Sequence, residues 1–362
     1  MFCWLGVLLL FASLARGNDN FGSYDAEDVW LSIVVVARND EDGSRIDRFL
    51  THLAGQVSGY SMDTSGSSSA DSMLEVIVVE WNPPDGRQRL STTLDVPDNL
   101  RDRLRVISVP KTVQEEMENE TGVLAFDYVA KNVGIRRAHG KFVLATDVDV
   151  LLSNALVRFM LGMDGSLVEG TAFVIDLHEI ADLSGPVSEA TLREATRTVR
   201  ANAVDGLVTA MPADVGTFAV SGQEAVLDIP DPNTYWAAID AIPQHQNVPQ
   251  VPETCANVHL INKRGHFLLM DRFSWHIALQ GFAELPDVLS VDNLAMVTAA
   301  AVGMRQQVLL PPMLAFRTKQ TEDAAQVSVE EPCEQHVPRR IRLVVNTDEW
   351  GLAGVELDEV RM

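Results

Sequence analysis

Cysteine is scarce in this chain: three residues in 362, one of them at Cys3. That excludes a scaffold stapled by many disulfides and a zinc site built from paired cysteine motifs. Cys255 and Cys333 remain, either as one bridge in an oxidising compartment or as two thiols. Positive charge is also short, with 28 Lys and Arg against 51 Asp and Glu and a net charge of −23. A nucleic-acid binder needs clustered cations on its surface, and so does electrostatic adhesion to anionic lipid. Neither partner suits this composition. No apolar run approaches the roughly 20 residues that cross a bilayer. Trp4 to Ala15 is apolar but short. It is followed by Arg16 and Gly17, and Ser13, Ala15 and Gly17 supply the small residues that suit signal peptidase. Residues 1–17 therefore read as a signal peptide or short anchor, although no basic segment precedes the run. Asn119-Glu120-Thr121 is a glycosylation sequon, and it agrees with a secretory-pathway (ER/Golgi lumen) or secreted location. There is no Gly-x-Ser-x-Gly elbow, no Gly-x-x-x-x-Gly-Lys phosphate loop, no Gly-x-Gly-x-x-Gly fingerprint, and no internal repeat.

What is present is a core-forming composition: 46% hydrophobic and 22% charged residues. That supports one large or two modest domains. Leu31 to Ala37 is a β-branched apolar run and reads as a buried parallel strand. Asp42 to Ala54 carries helical spacing at Ile46, Phe49, Leu50 and Leu53. Gln56 to Ser72, rich in Ser and Gly, reads as a loop. Leu74 to Val79 and Leu104 to Val109 are further strands, the first ended by Pro83-Pro84. Phe126 to Ala138 reads as a helix with Gly140 just past its end, and Lys141 to Ala145 as a strand. Alternating strand and helix build a parallel sheet covered on both faces. Ligands of such sheets lie at the carboxyl ends of the strands. The later chain is less regular: Val187 to Leu207 a polar helix, Pro230 to Pro252 irregular, His266 to Met270 a short strand, Ser274 to Gln280 a helical turn. Asn293 to Val302 reads as a buried helix and Val308 to Leu310 as a last strand.

The polar residues after the strands are the candidates for chemistry. Asp147-Val148-Asp149 places two carboxylates on one side at a strand end. Such a pair suits Mg²⁺ or Mn²⁺, hard cations that bridge carboxylates to substrate phosphates and stabilise a leaving diphosphate. A solvated turn is the plain alternative for the triplet alone. Its context narrows the choice. Ala130-Lys131-Asn132-Val133-Gly134, a helix, Ala138-His139-Gly140, a strand, then Asp147-Val148-Asp149 resembles the family 2-like glycosyltransferases of the GT-A fold. Ala37-Arg38-Asn39-Asp40 resembles that family's first nucleotide-contacting loop. Glu80 stands where the family carries an acid near the nucleotide base.

The resemblance, clear over residues 31 to 152, implies a set of roles. Asp149 would ligate the metal, with Asp147 beside it touching ribose or sugar. Arg38, Asn39 and Asp40 would border the nucleoside, Glu80 would bond the base, and Lys131 and Asn132 would lie near the diphosphate or ribose. Trp81 is a stacking candidate or simple packing. In the second half, Gly265-His266-Phe267 stands where relatives carry Gly-Asp-Phe, so His266 replaces an acid. An inverting transfer needs a carboxylate to take the acceptor proton. Asp292, at the head of the buried helix, and Glu284 are the candidates. Relatives often add a C-terminal His as a metal ligand, but Pro311 to Arg317 has none, and His336 is the nearest.

The expectation is thus an α/β chain of GT-A type, Rossmann-like, with a mostly parallel sheet. Residues 28–152 would bind a nucleotide-sugar donor, with a UDP-sugar favoured. Residues 153–320 would bind a glycan or glycoprotein acceptor, and residues 321–362 would dock as a tail. The expected activity is metal-dependent, inverting sugar transfer to a hydroxyl. Two alternatives stand beside it: a catalytically degenerate secreted domain that binds glycans or proteins, and a nucleotidyltransferase. The second expects a Gly-rich basic loop after the first strand, where Arg38 to Ser44 offers only Gly43.

Overall fold

The computed structural model describes residues 29–39, 44–58, 74–117, 127–163, 167–175, 177–180, 217–221, 224–229, 266–284, 291–292, 295, 298–299, 304–309, 313–318 and 346–362. The leader, Asp40, the sequon, Cys255, Cys333, His336, residues 187–207 and 230–252, and most of 293–302 lie outside them.

The chain order begins β1 (Leu31–Ala37), α1 (Ser44–Ser58), β2 (Leu74–Trp81), α2 (Leu90–Thr93), β3 (Leu104–Val109), α3 (Lys111–Glu116), α4 (Asp127–Arg136) and β4 (Phe142–Thr146). It continues β5 (Val150–Leu152), α5 (Asn154–Met160), β6 (Thr171–Ile175), β7 (Leu177–Ile180), β8 (Thr217–Ser221), β9 (Glu224–Ile229) and β10 (Phe267–Asp271). A π-helical turn (Ser274–Leu279), β11 (Arg305–Leu309), β12 (Ala315–Thr318) and β13 (Asp358–Arg361) complete it. One sheet of ten strands has the order β13-β3-β2-β1-β4-β10-β6-β11-β9-β8. Strands β3, β2, β1 and β4 run parallel, and β10 enters antiparallel between β4 and β6. A small sheet, β5-β12-β7, packs separately.

The parallel centre follows from side-chain alternation. Ile33, Val35, Val76, Val78, Leu104 and Val106 point to one face, where Ile46, Phe49, Leu50 and Leu53 of α1 cover them. Val34, Ile77, Val79, Ile107 and Val109 point to the other face, under Val129, Ala130, Val133 and Ile135 of α4. Each such fully buried side chain contributes roughly 1.5–3 kcal/mol. A strand buried on both faces is apolar at every position, which is why these runs lack alternation in the sequence. Gly134 lets α4 lie close to the sheet: a Cβ there would come within 2.4 Å of Val34 Cγ1.

Helix α1 runs to Ser58, into the stretch expected as loop. Polar anchors carry it on: His52 Nε2 donates to the Leu152 carbonyl at 3.0 Å, and the Gln56 amide donates to the same oxygen. Hydrophobic spacing does not report such bonds. The tail residues 346–362 return to the first half. Strand β13 pairs antiparallel with β3, and Trp350 is buried beneath Arg136, whose Cζ lies 5.0 Å from the ring centre. Among the described residues no helix is long and apolar enough to cross a membrane.

Candidate functional site

The carboxyl ends of β1, β2 and β4 share one edge of the sheet, and the polar residues there form two groups. The first joins β1 to β2. Asn39 adopts a left-handed conformation (φ 62°), which Asn tolerates better than most residues. Its amide donates to the Gln88 carbonyl at 2.7 Å and to Glu80 Oε1 at 3.4 Å. Glu80 is fully buried; it also accepts from the Leu90 N–H at 2.9 Å and from Ser108 Oγ at 2.7 Å, with Arg89 at 3.8 Å. Arg38 Nε donates to the Asn82 carbonyl at 3.3 Å. Glu80 therefore shapes the loop 82–90 from beneath rather than presenting its carboxylate to a ligand.

The second group surrounds Asp147. Lys131 Nζ lies 2.6 Å from Asp147 Oδ1, and His266 Nδ1 bonds Oδ2. Strand pairing sets that contact: Phe267 opposes Thr146, so His266 arrives beside Asp147, and Thr146 Oγ1 donates to the His266 carbonyl at 2.6 Å. Burial opposes the Asp147 charge, but Lys131 and the bond to His266 outweigh it and hold the carboxyl well below the usual range. Asp149 is buried and meets Arg317 Nε at 2.8 Å. Asp127, at the first turn of α4, feels the charges of Lys131, Asp147, His266 and Asp149. Tyr128 packs on Phe282, with Lys131 Nζ over its ring at 5.4 Å. Burial, then Asp292, Asp147 and Asp127, push its phenol upward. Asp292, half-buried, is thus near enough for its charge to act on Tyr128.

Three more residues expected at the site face elsewhere, as Glu80 does. Trp81 is fully buried and its indole donates to Gln114 Oε1 at 2.7 Å. It is core packing rather than a stacking surface. Asn132 is also fully buried, bonding the Phe282 carbonyl, the Phe282 N–H and Glu284 Oε1 at 2.7–2.9 Å. It ties α4 to residues 282–284 rather than meeting a diphosphate. Glu284 completes that tie, accepting from the Gly351 N–H at 2.8 Å, and burial pushes its carboxyl upward against the bonds from Asn132 and Gly351. Its Oε1 thus joins α4 to the tail. Arg317 is the residue that sequence reasoning passed over. Its strand, β12, pairs with β5 so that Arg317 opposes Val150, one residue past Asp149.

A divalent ion at Asp147 and Asp149 would need open carboxylate oxygens. Both oxygens of Asp147 are engaged, and Asp149 holds a guanidinium. Among the described residues no group of three His, Cys, Asp or Glu is placed to hold a metal ion. The residues as folded do not fit the metal that the triplet implies, because cations of the chain already balance both carboxylates. What the arrangement offers is a half-open edge with fixed positive groups set among carboxylates.

No family model matches the chain, and no curated protein matches it in sequence. Among solved structures it is similar to S. aureus TarS 1–349 (14% identity, TM-score 0.40, 80% of this chain and 60% of that one). It is similar also to that protein in complex with UDP-GlcNAc (14%, TM-score 0.42, 82% and 60%) and with UDP (14%, TM-score 0.40, 81% and 61%). The chain spans about 60% of the length of those fragments, and 37% of a longer TarS structure.

Proposed function

We propose that this chain is a GT-A-type glycosyltransferase. It moves a sugar from a nucleoside-diphosphate sugar, with UDP the favoured nucleotide, to a hydroxyl of a glycan or glycoprotein. The single observation that carries this reading is Asp147. It ends a buried parallel strand, keeps its charge through Lys131 of the Ala130–Gly134 string, and remains 22% exposed at the sheet edge where ligands of such folds lie. In this reading the loop 82–90, braced by Asn39 and Glu80, borders the nucleoside.

In this reading the acceptor oxygen attacks the anomeric carbon from the face opposite the leaving group, giving inversion. Its proton passes to Asp292, whose charge, like that of Asp147, reaches Tyr128. The bond from the anomeric carbon to the phosphate oxygen breaks, and its electron pair leaves with the nucleoside diphosphate. The leader and sequon support a secretory-pathway or secreted setting. The metal dependence implied by the triplet is the one part of the expectation that the Asp149–Arg317 pair argues against.

UDP release from a panel of UDP-sugars, with and without glycan acceptors, tests the proposal. Turnover should appear for one sugar, and Asp147→Asn should cut it by about 100-fold. A protein silent with every sugar nucleotide, yet binding glycans, would instead be a degenerate domain of the same fold.

A further inference from the structure

The diphosphate of a sugar nucleotide carries negative charge into an acidic protein, so some positive group must meet it. Four observations identify that group. Asp149 is 6% exposed in its side chain and is paired to Arg317 at 2.8 Å. Backbone pairing delivers Arg317, because β12 lies antiparallel to β5 with Arg317 opposite Val150. The Arg317 side chain is 19% exposed, and His266, on Asp147, is 28% exposed. Lys131, by contrast, is 3% exposed and holds Asp147 from inside.

We infer, on the donor-binding reading above, that this site takes the nucleoside diphosphate without a divalent cation, with the Arg317 guanidinium standing where a metal would. A guanidinium keeps its charge at every physiological pH. The planar Arg317 group, with Nε on Asp149, suits phosphate oxygens. The Nε bond orients that plane, so the carboxylate acts as a positioning residue for a cation of the chain. A metal entering at Asp149 would have to displace the Arg317 guanidinium from a buried carboxylate whose charge is already balanced. During transfer the bond from the anomeric carbon to the phosphate oxygen breaks, and the electron pair moves onto that oxygen. Arg317 meets the growing charge, and the acceptor proton goes to Asp292.

Calorimetric titration of UDP into the full chain, in EDTA and then in Mn²⁺, tests this. The dissociation constants should agree within about twofold. Arg317→Gln should weaken binding in EDTA by about tenfold or more, and Arg317→Lys by less, since a lysine keeps the charge but loses the planar geometry. If Arg317→Gln does not fold, the wild-type comparison decides alone. Binding that vanishes in EDTA and returns with Mn²⁺ overturns the inference and leaves the donor reading standing. Failure of UDP, GDP, CMP and dTDP to bind in either buffer overturns both.

Discussion

The two ends of the parallel sheet carry the same kind of chemistry and differ in how far they open. At the amino ends of the strands, Glu75 accepts from Ser32 Oγ at 2.6 Å, from the His139 N–H at 3.0 Å and from His139 Nδ1 at 2.8 Å. Arg105 Nε lies 2.8 Å away, and Arg105 also bonds Glu359 and the Arg137 carbonyl. Gly140 N–H donates to Ser32 Oγ at 2.8 Å, closing the network. Burial opposes the Glu75 charge, but His139, Arg105 and Ser32 prevail and hold its carboxyl at about 2. At the carboxyl ends, Asp147 is braced in a similar way by Lys131 and His266. The Glu75 side chain is 8% exposed and Asp147 22%. A carboxylate whose partners seal it fixes the chain. One whose partners leave an open side is placed to meet a ligand.

The sharpest way to break that contrast is Glu75→Ala. Removing the central carboxylate of a buried ionic network leaves Arg105 Nε, Ser32 and His139 without their shared acceptor and should cost about 3–5 kcal/mol in urea unfolding. UDP affinity at a temperature where the variant stays folded should not change. An equal loss of affinity would mean that the two ends are not separable.

Acid titration sharpens the same point. A carboxyl lowered from 4.5 to about 2 contributes stability that is present above about pH 4.5. That stability is lost as the pH falls toward 2, and amounts to roughly 3 kcal/mol. Glu75→Gln should flatten this part of the stability–pH curve, read by thermal melts from pH 6 to pH 2.

Gly140→Ala is expected to cost about 1–3 kcal/mol, since its Cβ would lie 2.4 Å from the Ser32 backbone nitrogen. A chemical melt measures it. The smallest stability effect belongs to Glu284→Gln, at about 1 kcal/mol, because a glutamine oxygen can still accept from Asn132 and Gly351. Its turnover should stay within about threefold of wild type, whereas Asp292→Asn should lose about 100-fold. The reverse pattern would make Glu284 the base.

Much of the first half was legible because buried parallel strands are apolar at every position, so β1 to β4 stand out as runs. The string from Ala130 to Asp149 also read correctly in outline. Where each of its side chains points was less legible. Lys131 and Asn132 are neighbours in sequence but about 100° apart around a helix, so one reaches Asp147 and the other the 282–284 segment. Glu80 and Trp81 alternate across a strand in the same way. Glu75, at a strand start, gave no sign of the network it anchors, because its partners come from β1, β3 and the turn after α4. Arg317 was hidden for a related reason: a pairing 168 residues distant leaves no local pattern. His266 was visible as a departure, and its meaning came from the register of β10 on β4.

The claim that the carboxyl ends of the strands hold the nucleotide is tested most directly by amide hydrogen exchange with and without saturating UDP. The account predicts slowed exchange in residues 37–39, 82–90 and 146–150, and none around 75, 105 and 139. Protection at the Glu75 end, or at neither end, would contradict it.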